Sequence, residues 1–104
     1  MAFKISINPA ARLDIVEAID WYNEQQSNLG FRFYKCTQTT LKSIQKNSLG
    51  YAIRYKTIRT AIINKFPYMI HYNVEQQTET IKVLAIICTY RNPESWFEKT
   101  KKEE

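Results

Sequence analysis

Glycine, proline, cysteine and histidine are all scarce in this chain of 104 residues. Two glycines and three prolines leave little room for low-complexity linkers, and 44% hydrophobic with 13% aromatic residues is a globular rather than a disordered composition. A chain of this length can build one hydrophobic core but not two. We therefore predict a single α+β domain over 1–104, with 99–104 as a frayed tail.

The few cysteines and the short apolar runs exclude several classes of protein. Cys36 and Cys88 have no CxxC spacing, and His71 is the one histidine, so the sequence offers no cluster for a metal site. Residues 1–7 lack the apolar stretch of about 7–15 residues found in a signal peptide. No run approaches the roughly 20 apolar residues of a membrane helix. These features predict a reduced, cytoplasmic protein without a metal or organic cofactor.

The charge balance is basic, with a formal net charge of +5 and a sequence pI near 9.3. Such a balance favours an acidic partner, either nucleic acid or an acidic protein segment. A basic protein with no acidic partner is the alternative, and charge alone leaves both open.

The first half of the chain has the pattern of a strand followed by two helices. Phe3, Ile5 and Ile7 alternate with polar residues, as in a half-buried strand. Apolar residues then recur at spacings of three and four from Pro9 to Gln26, and a second amphipathic helix opens at Leu29. A turn signal at 47–50 ends it. Two helices with a short joint predict an αα-hairpin packed on one face of a sheet.

The second half reads as an antiparallel meander. Its strand-like runs are Ile58–Phe66, Tyr68–Val74 and Thr80–Ile87, rich in β-branched and aromatic residues. Pro67 marks the first corner, because proline cannot donate to a ladder, and polar residues 75–79 form the second. Residues 51–55 are a possible fourth strand. The fold class is thus α+β: an N-terminal strand, an αα-hairpin and a three- to four-stranded β-meander, with the sheet face opposite the helices partly open.

Several short motifs follow one another along the chain. They are Asp14-Ile15-x-Glu17-Ala18-x-x-Trp21-Tyr22, Leu29-Gly30-x-Arg32-Phe33, Arg59, Phe66-Pro67-Tyr68-x-Ile70-x-Tyr72, Val83-Leu84-Ala85-Ile86 and Arg91-Asn92-Pro93-x-x-Trp96. In their order and spacing, the chain resembles the RelE/ParE superfamily of toxins from type II toxin–antitoxin systems over nearly its whole length. The resemblance implies a toxin whose cognate antitoxin lays an extended and helical, acidic segment along it.

Within that superfamily the chain is most similar to the ParE-like, plasmid stabilisation branch, whose pattern ends in His-x-x-Arg-x-Pro-x-x-Trp. Cys88 stands here where that pattern has histidine. The mRNA-cleaving members use several basic residues on the central strands, where this chain has Thr60, Ile62 and Met69. The resemblance therefore implies an inhibitor that binds a target such as DNA gyrase. A ribosome-dependent mRNA endonuclease and a non-toxic binding module are the alternatives.

Arg91 is the leading candidate for a functional residue, since a guanidinium just past a sheet end can grip phosphate or carboxylate bidentately. The structural alternative is an ion pair with Asp14, Glu17 or Glu94. If the protein is a nuclease, the catalytic candidates are Arg91, Arg59, Tyr90 and His71, with the arginines stabilising charge and Tyr90 or His71 moving protons.

The candidate surface for the target or the antitoxin consists of Arg91 and a basic group in and before the predicted strand Ile58–Phe66. That group comprises Arg54, Lys56, Arg59 and Lys65. Arg59 and Lys65 are predicted to share a strand face with Ala61 and Ile63. The alternative is a solvated face without a ligand.

The remaining candidates have structural alternatives. We expect His71 to be exposed on the sheet, either as an acid–base group or as a plain cross-strand residue. Tyr90 either stacks on a base or closes over the edge of the core. Trp21, Tyr22 and Trp96 are expected to belong to the core, and Cys88 to be a structural thiol.

Overall fold

The computed structural model describes residues 3–90. Along this part of the chain the elements are β1 (Lys4–Ile7), α1 (Pro9–Gln25), α2 (Leu29–Lys46), a single 3₁₀ turn (Ser48–Gly50), β2 (Ile53–Tyr55), β3 (Ile58–Ile62), β4 (Tyr68–Glu75) and β5 (Thr80–Cys88). The predicted strand, helix pair and meander are confirmed, with 51–55 supplying the fourth meander strand as β2. Neither helix in this range is long and apolar enough to cross a membrane.

The strands form one sheet in the order β1-β5-β4-β3-β2. β1 joins it parallel to β5, while the other neighbours are antiparallel. Because β2 to β5 follow one another along the chain and pair consecutively, they are the meander that the sequence predicts. β1 is the first element of the chain and lies at one edge of the sheet.

The main core lies between the helix pair and one sheet face. α1 contributes Ala11, Ala18 and Tyr22, and α2 contributes Phe33 and Ile44. Spacings of three and four place these side chains on one stripe of each helix. The sheet and the residue that follows β3 contribute Ala61, Ile63, Ile70, Tyr72, Ile81, Val83 and Ile86.

The helices approach each other closely at Gly30. Its backbone N–H donates to Oδ1 of Asn23 at 2.8 Å. A Cβ at this position would collide with the backbone carbonyl oxygen of Ile19 and lie 2.7 Å from Cγ of Asn23. The glycine in the second motif thus serves helix packing, since the residue in the left-handed conformation is Asn28 (φ 68°), two positions earlier.

The sheet face opposite the helices, which was predicted to be partly open, is buried at its centre. Met69, Ala85 and Ile87 form a second buried cluster, with Tyr55 packed against it. His71 on the same face is buried as well. Ile62, at 68% exposure, is the large apolar side chain that remains open on this face.

β3 is shorter than predicted. It ends at Ile62, and the chain then turns through residues 63–67, with Lys65 in the left-handed region at φ 71° and the N–H of Ile63 donating to the carbonyl of Tyr68 at 2.9 Å. The strand period therefore stops before Lys65. Lys65 does not share a strand face with Arg59, Ala61 and Ile63, which corrects the prediction.

Candidate functional site

Arg59 is engaged in holding the backbone together. Its Nη1 donates to the carbonyl oxygens of Tyr51 at 2.6 Å and Leu49 at 3.2 Å. It pairs across the sheet with Tyr72, so it lies on the helix side rather than on the opposite face. These bonds tie the segment after α2 to β3, which is a structural role for a residue predicted to be catalytic or target-binding.

The predicted basic group is divided between the two ends of the sheet. Arg54 and Lys56 precede β3, whereas Lys65 follows it. A five-residue strand is about 16 Å long, so Lys56 and Lys65 are separated by at least that order of distance. The four candidate cations therefore do not form one anion-binding groove.

Lys65 and Tyr90 are at the same end of the sheet. Ile62 at the end of β3 pairs with Met69, and Tyr68 pairs with Cys88 at the end of β5. The turn carrying Lys65 and the residues after β5 thus emerge together. Arg91 follows Tyr90 in the chain but lies outside the described residues, as does Trp96.

His71 is completely buried, which corrects the expectation of an exposed side chain. Its Nδ1 lies 3.0 Å from the Tyr55 hydroxyl, in hydrogen-bond contact, and the two rings are 5.8 Å apart. Thr60 and Ala85 flank it on the neighbouring strands. A phenol and an imidazole in contact form a pair able to pass a proton, but the complete burial of His71 beside half-buried Tyr55 suits a structural link between β2 and β4.

A cleft of about 220 Å³ opens between α1 and the end of β5. Trp21 lines it at 53% exposure, which corrects the expectation that this residue belongs to the core, while its neighbour Tyr22 is buried as predicted. A second depression continues the cleft past half-buried Cys88 to Tyr90, which is 86% exposed. Tyr90 does not close over the core; it is an aromatic side chain open to a ligand.

The cleft also has an acidic side formed by Asp14 and Glu17, one turn apart on α1. Oδ2 of Asp14 accepts the backbone N–H of Ile86 at 3.0 Å. The acids that the sequence named as alternative partners for Arg91 therefore lie beside the end of β5. The arginine itself is outside the described range, so both interpretations of Arg91 stay predictions.

A second groove at this sheet end brings together cations that the sequence did not group. It has a volume of about 470 Å³ and is lined by Leu29, Arg32, Lys35, Cys36, Lys65 and Phe66. Arg32 was named only as part of the second motif, and Lys35 was not among the predicted site residues. Their i, i+3 spacing was visible in the sequence, but the approach of the β3–β4 turn was not.

Burial raises the pKa of two tyrosines of the core, Tyr22 and Tyr72. Burial is the main cause that raises the pKa of Tyr22 to about 12, with Tyr68, Cys88 and Tyr90 adding to it. Burial also raises the pKa of Tyr72 strongly, against the opposing effect of the Arg59 guanidinium. The Tyr72 hydroxyl donates to the carbonyl of Ser48 at 2.7 Å.

Comparison with solved structures identifies the fold. The chain superposes on a chromosomal ParDE toxin–antitoxin structure from P. aeruginosa with a TM-score of 0.73 and 15% identity, covering 84% of this chain and 96% of that one. It also matches a chain of the toxin–antitoxin complex RelBE2 from Mycobacterium tuberculosis (TM-score 0.60, 12% identity, 85% and 99% coverage). A mutant of the E. coli toxin RelE in the free state matches with a TM-score of 0.61 and 10% identity, over 99% of this chain and 98% of that one.

The sequence itself matches no protein-family model and no curated protein significantly. The likeness is therefore one of three-dimensional structure. It extends over most of this chain and nearly all of the chains that it matches. The chain has the RelE/ParE toxin fold.

Proposed function

We propose that this protein is the cytoplasmic toxin of a type II toxin–antitoxin system, of the ParE-like, plasmid stabilisation branch, and that a cognate antitoxin neutralises it. The observation that carries the proposal is the superposition on the chromosomal ParDE structure over 96% of that chain. The sequence motifs support the same assignment.

We further propose that the toxin acts by binding a protein target such as DNA gyrase rather than by cutting RNA. Two features of residues 3–90 support this choice. Nη1 of Arg59 donates to two backbone carbonyls, and His71 is buried in contact with the Tyr55 hydroxyl. Neither is presented to an RNA backbone together with Tyr90, as general acid–base catalysis of strand cleavage needs.

A ribosome-dependent mRNA endonuclease is the second candidate, and one contact favours it. The Tyr55 hydroxyl and His71 Nδ1 are 3.0 Å apart, a geometry that holds an imidazole in one tautomer. A third candidate, a non-toxic binding module, needs no such chemistry.

Induction of the chain alone in a bacterial host separates the three candidates. We expect growth arrest with intact messages and altered plasmid supercoiling. New 5′ ends inside translated messages within minutes would instead establish the nuclease. Growth without arrest, at confirmed expression, would leave the binding module.

Arg91→Ala is the variant that tests the site. We expect it to abolish arrest, while Lys42→Ala, an equal loss of charge on the exposed face of α2, leaves arrest intact. Both proteins should be checked for wild-type melting temperature. Arrest that survives in folded Arg91→Ala would remove this residue from the site.

A further inference from the structure

We infer that the groove between the start of α2 and the β3–β4 turn, here called the basic groove, is a docking surface for an acidic amphipathic segment of a partner protein. It is lined by Leu29, Arg32, Lys35, Cys36, Lys65 and Phe66. The identity of that partner as the neutralising antitoxin rests on the proposed function. The surface and its chemistry do not.

The charges of the basic groove are all of one sign. Arg32, Lys35 and Lys65 are exposed, and within residues 3–90 no carboxylate pairs with any of them. Lys35 instead lies over the Phe31 ring, 5.4 Å from its centroid. Like charges held around one depression repel each other, and a bound carboxylate group removes that repulsion.

The floor of the basic groove is apolar. Leu29, Cys36 and Phe66 are each half-buried, so they offer contact area to apolar side chains. Phe66 is fixed in place by edge-to-face contacts with Tyr22 and Phe33, at centroid distances of 4.9 and 5.2 Å. A rigid apolar floor inside a ring of cations matches a segment with aliphatic residues on one side and carboxylates beside them.

Lys65, which lines the basic groove, has an unfavourable backbone conformation. Its φ of 71° is in the left-handed region, where a lysine costs about 1 kcal/mol relative to glycine. The strain sits at a position whose side chain lines the groove, and strained positions tend to coincide with functional surfaces. Glycine would suit this turn better, whereas the lysine places a cation at the groove.

An acidic peptide fits these observations better than a nucleic acid strand does. Strands of RNA or DNA are bound by cations that follow the backbone together with aromatic faces on which bases stack. Here three cations surround a single depression, and its one aromatic residue, Phe66, is held by core contacts. We therefore commit to a protein segment as the occupant.

The test is binding of a fluorescein-labelled helical peptide with leucines on one face and glutamates on the other, measured by anisotropy on the full chain at physiological salt. Its scrambled isomer has the same charge without an apolar face. We expect the amphipathic peptide to bind about tenfold more tightly than the isomer, because the apolar floor contributes as well as the charges.

Charge-reversal variants then locate the site. Arg32→Glu and Lys35→Glu should each weaken binding about tenfold, since like charges placed opposite each other are costly. Lys42→Glu is the matched control, with the same charge change on the same helix face about 10 Å further along and outside the groove. It should change the dissociation constant less than about twofold.

Lys65→Gly tests whether a loss of peptide binding is caused by misfolding rather than by the removed charge. It removes the charge while relieving the positive φ, so we expect weaker peptide binding from a protein that is at least as stable as the wild type. Equal binding of both peptides, or equal losses from Lys42→Glu and Lys35→Glu, would overturn the inference. Preferential binding of single-stranded RNA, lost in the same variants, would also overturn it. None of these outcomes bears on whether induction arrests growth.

Discussion

Oδ2 of Asp14 accepts a hydrogen bond from the backbone N–H of Ile86 at 3.0 Å, across 72 positions of sequence. The bond lies where the edge strand β1 ends, since Ile7 is paired with Val83 and the N–H of Asn8 donates to the carbonyl of Val83 at 3.0 Å. Beyond that point the N–H of Ile86 on β5 faces outward, and no strand within residues 3–90 pairs with it on that side. The α1 carboxylate takes the place of the missing strand, which couples the helix to the sheet beside the cleft.

Asp14→Ala should lower the free energy of unfolding by about 1–3 kcal/mol, because the partly buried N–H of Ile86 loses its acceptor. Asp14→Asn keeps an oxygen in place and should cost less. The measurement is urea unfolding at neutral pH. Equal stability of the alanine variant and the wild type would show that the bond contributes nothing.

Gly30→Ala should destabilise the domain by about 1–3 kcal/mol, because the added methyl group collides with the Ile19 carbonyl and the Asn23 side chain and overpacks the helix joint. Gly50→Ala is the matched control. Its new Cβ meets the side chain of Asn47, which can rotate away, so its cost should be smaller. Thermal melts followed by circular dichroism report both, and a control that costs more than Gly30→Ala would contradict the packing argument.

Alkaline pH should destabilise the protein through its two buried tyrosines. Their pKa values are raised in the folded state, to about 12 for Tyr22 and further for Tyr72, so the unfolded chain loses these protons first. The stabilisation is fully present below pH of about 10 and declines above it, by about 1.4 kcal/mol per pH unit for each group.

Tyr72→Phe tests that assignment. It should reduce the steepness of the loss above pH of about 10, and at neutral pH it should cost about 1–3 kcal/mol because the Ser48 carbonyl loses its donor. Tyr34→Phe, which changes a surface hydroxyl, is the control. An unchanged alkaline slope in the Tyr72 variant would contradict the burial argument.

Arg59→Ala should behave as a stability variant. Losing the charge-assisted bonds to the carbonyls of Tyr51 and Leu49 should lower the free energy of unfolding by about 1.5–3 kcal/mol. Arg12→Ala, on an exposed part of α1, should stay within about 0.5 kcal/mol of wild type. Growth arrest should persist in Arg59→Ala at a temperature where it is folded; loss of arrest from a folded protein would return Arg59 to the functional site.

Tyr55→Phe separates a structural His71 from a catalytic one. Removing the hydroxyl 3.0 Å from Nδ1 should cost about 1 kcal/mol of stability and leave growth arrest intact. The nuclease alternative predicts the opposite, a loss of arrest larger than the loss of folded protein. Soluble protein level and arrest, measured in the same cultures, distinguish the two.

Periodicity was sufficient for the elements of the fold. The alternation around Ile5, the 3.6-residue stripes through Tyr22 and Phe33, and the β-branched runs before and after Pro67 each predict an element that the structure contains, because these signals depend on near neighbours in the chain. The error in the length of β3 has a local cause as well. A lysine gives no sign of the left-handed turn that a glycine would announce.

Burial and grouping of the candidate site residues were decided by tertiary contacts. The same strand alternation that places His71 opposite the helices cannot tell that Tyr55 crosses over it, nor can helix spacing tell that Trp21 stays half exposed beside β5. The Arg59 side chain donates to two backbone carbonyls instead of facing a ligand. Lys65 lines a groove with Arg32 and Lys35 rather than with the basic residues before β3.

The amino-acid sequence by itself therefore determined the order, type and approximate ends of the elements, and its motifs indicated the toxin fold. Only the tertiary structure decided which cations share a surface and which titratable groups are buried. The physical reason is the separation in sequence between the residues that determine each feature. Helix and strand periods are properties of adjacent residues, whereas a groove or a buried pair depends on segments far apart in the chain, such as Arg32 and Lys65, meeting in the folded domain.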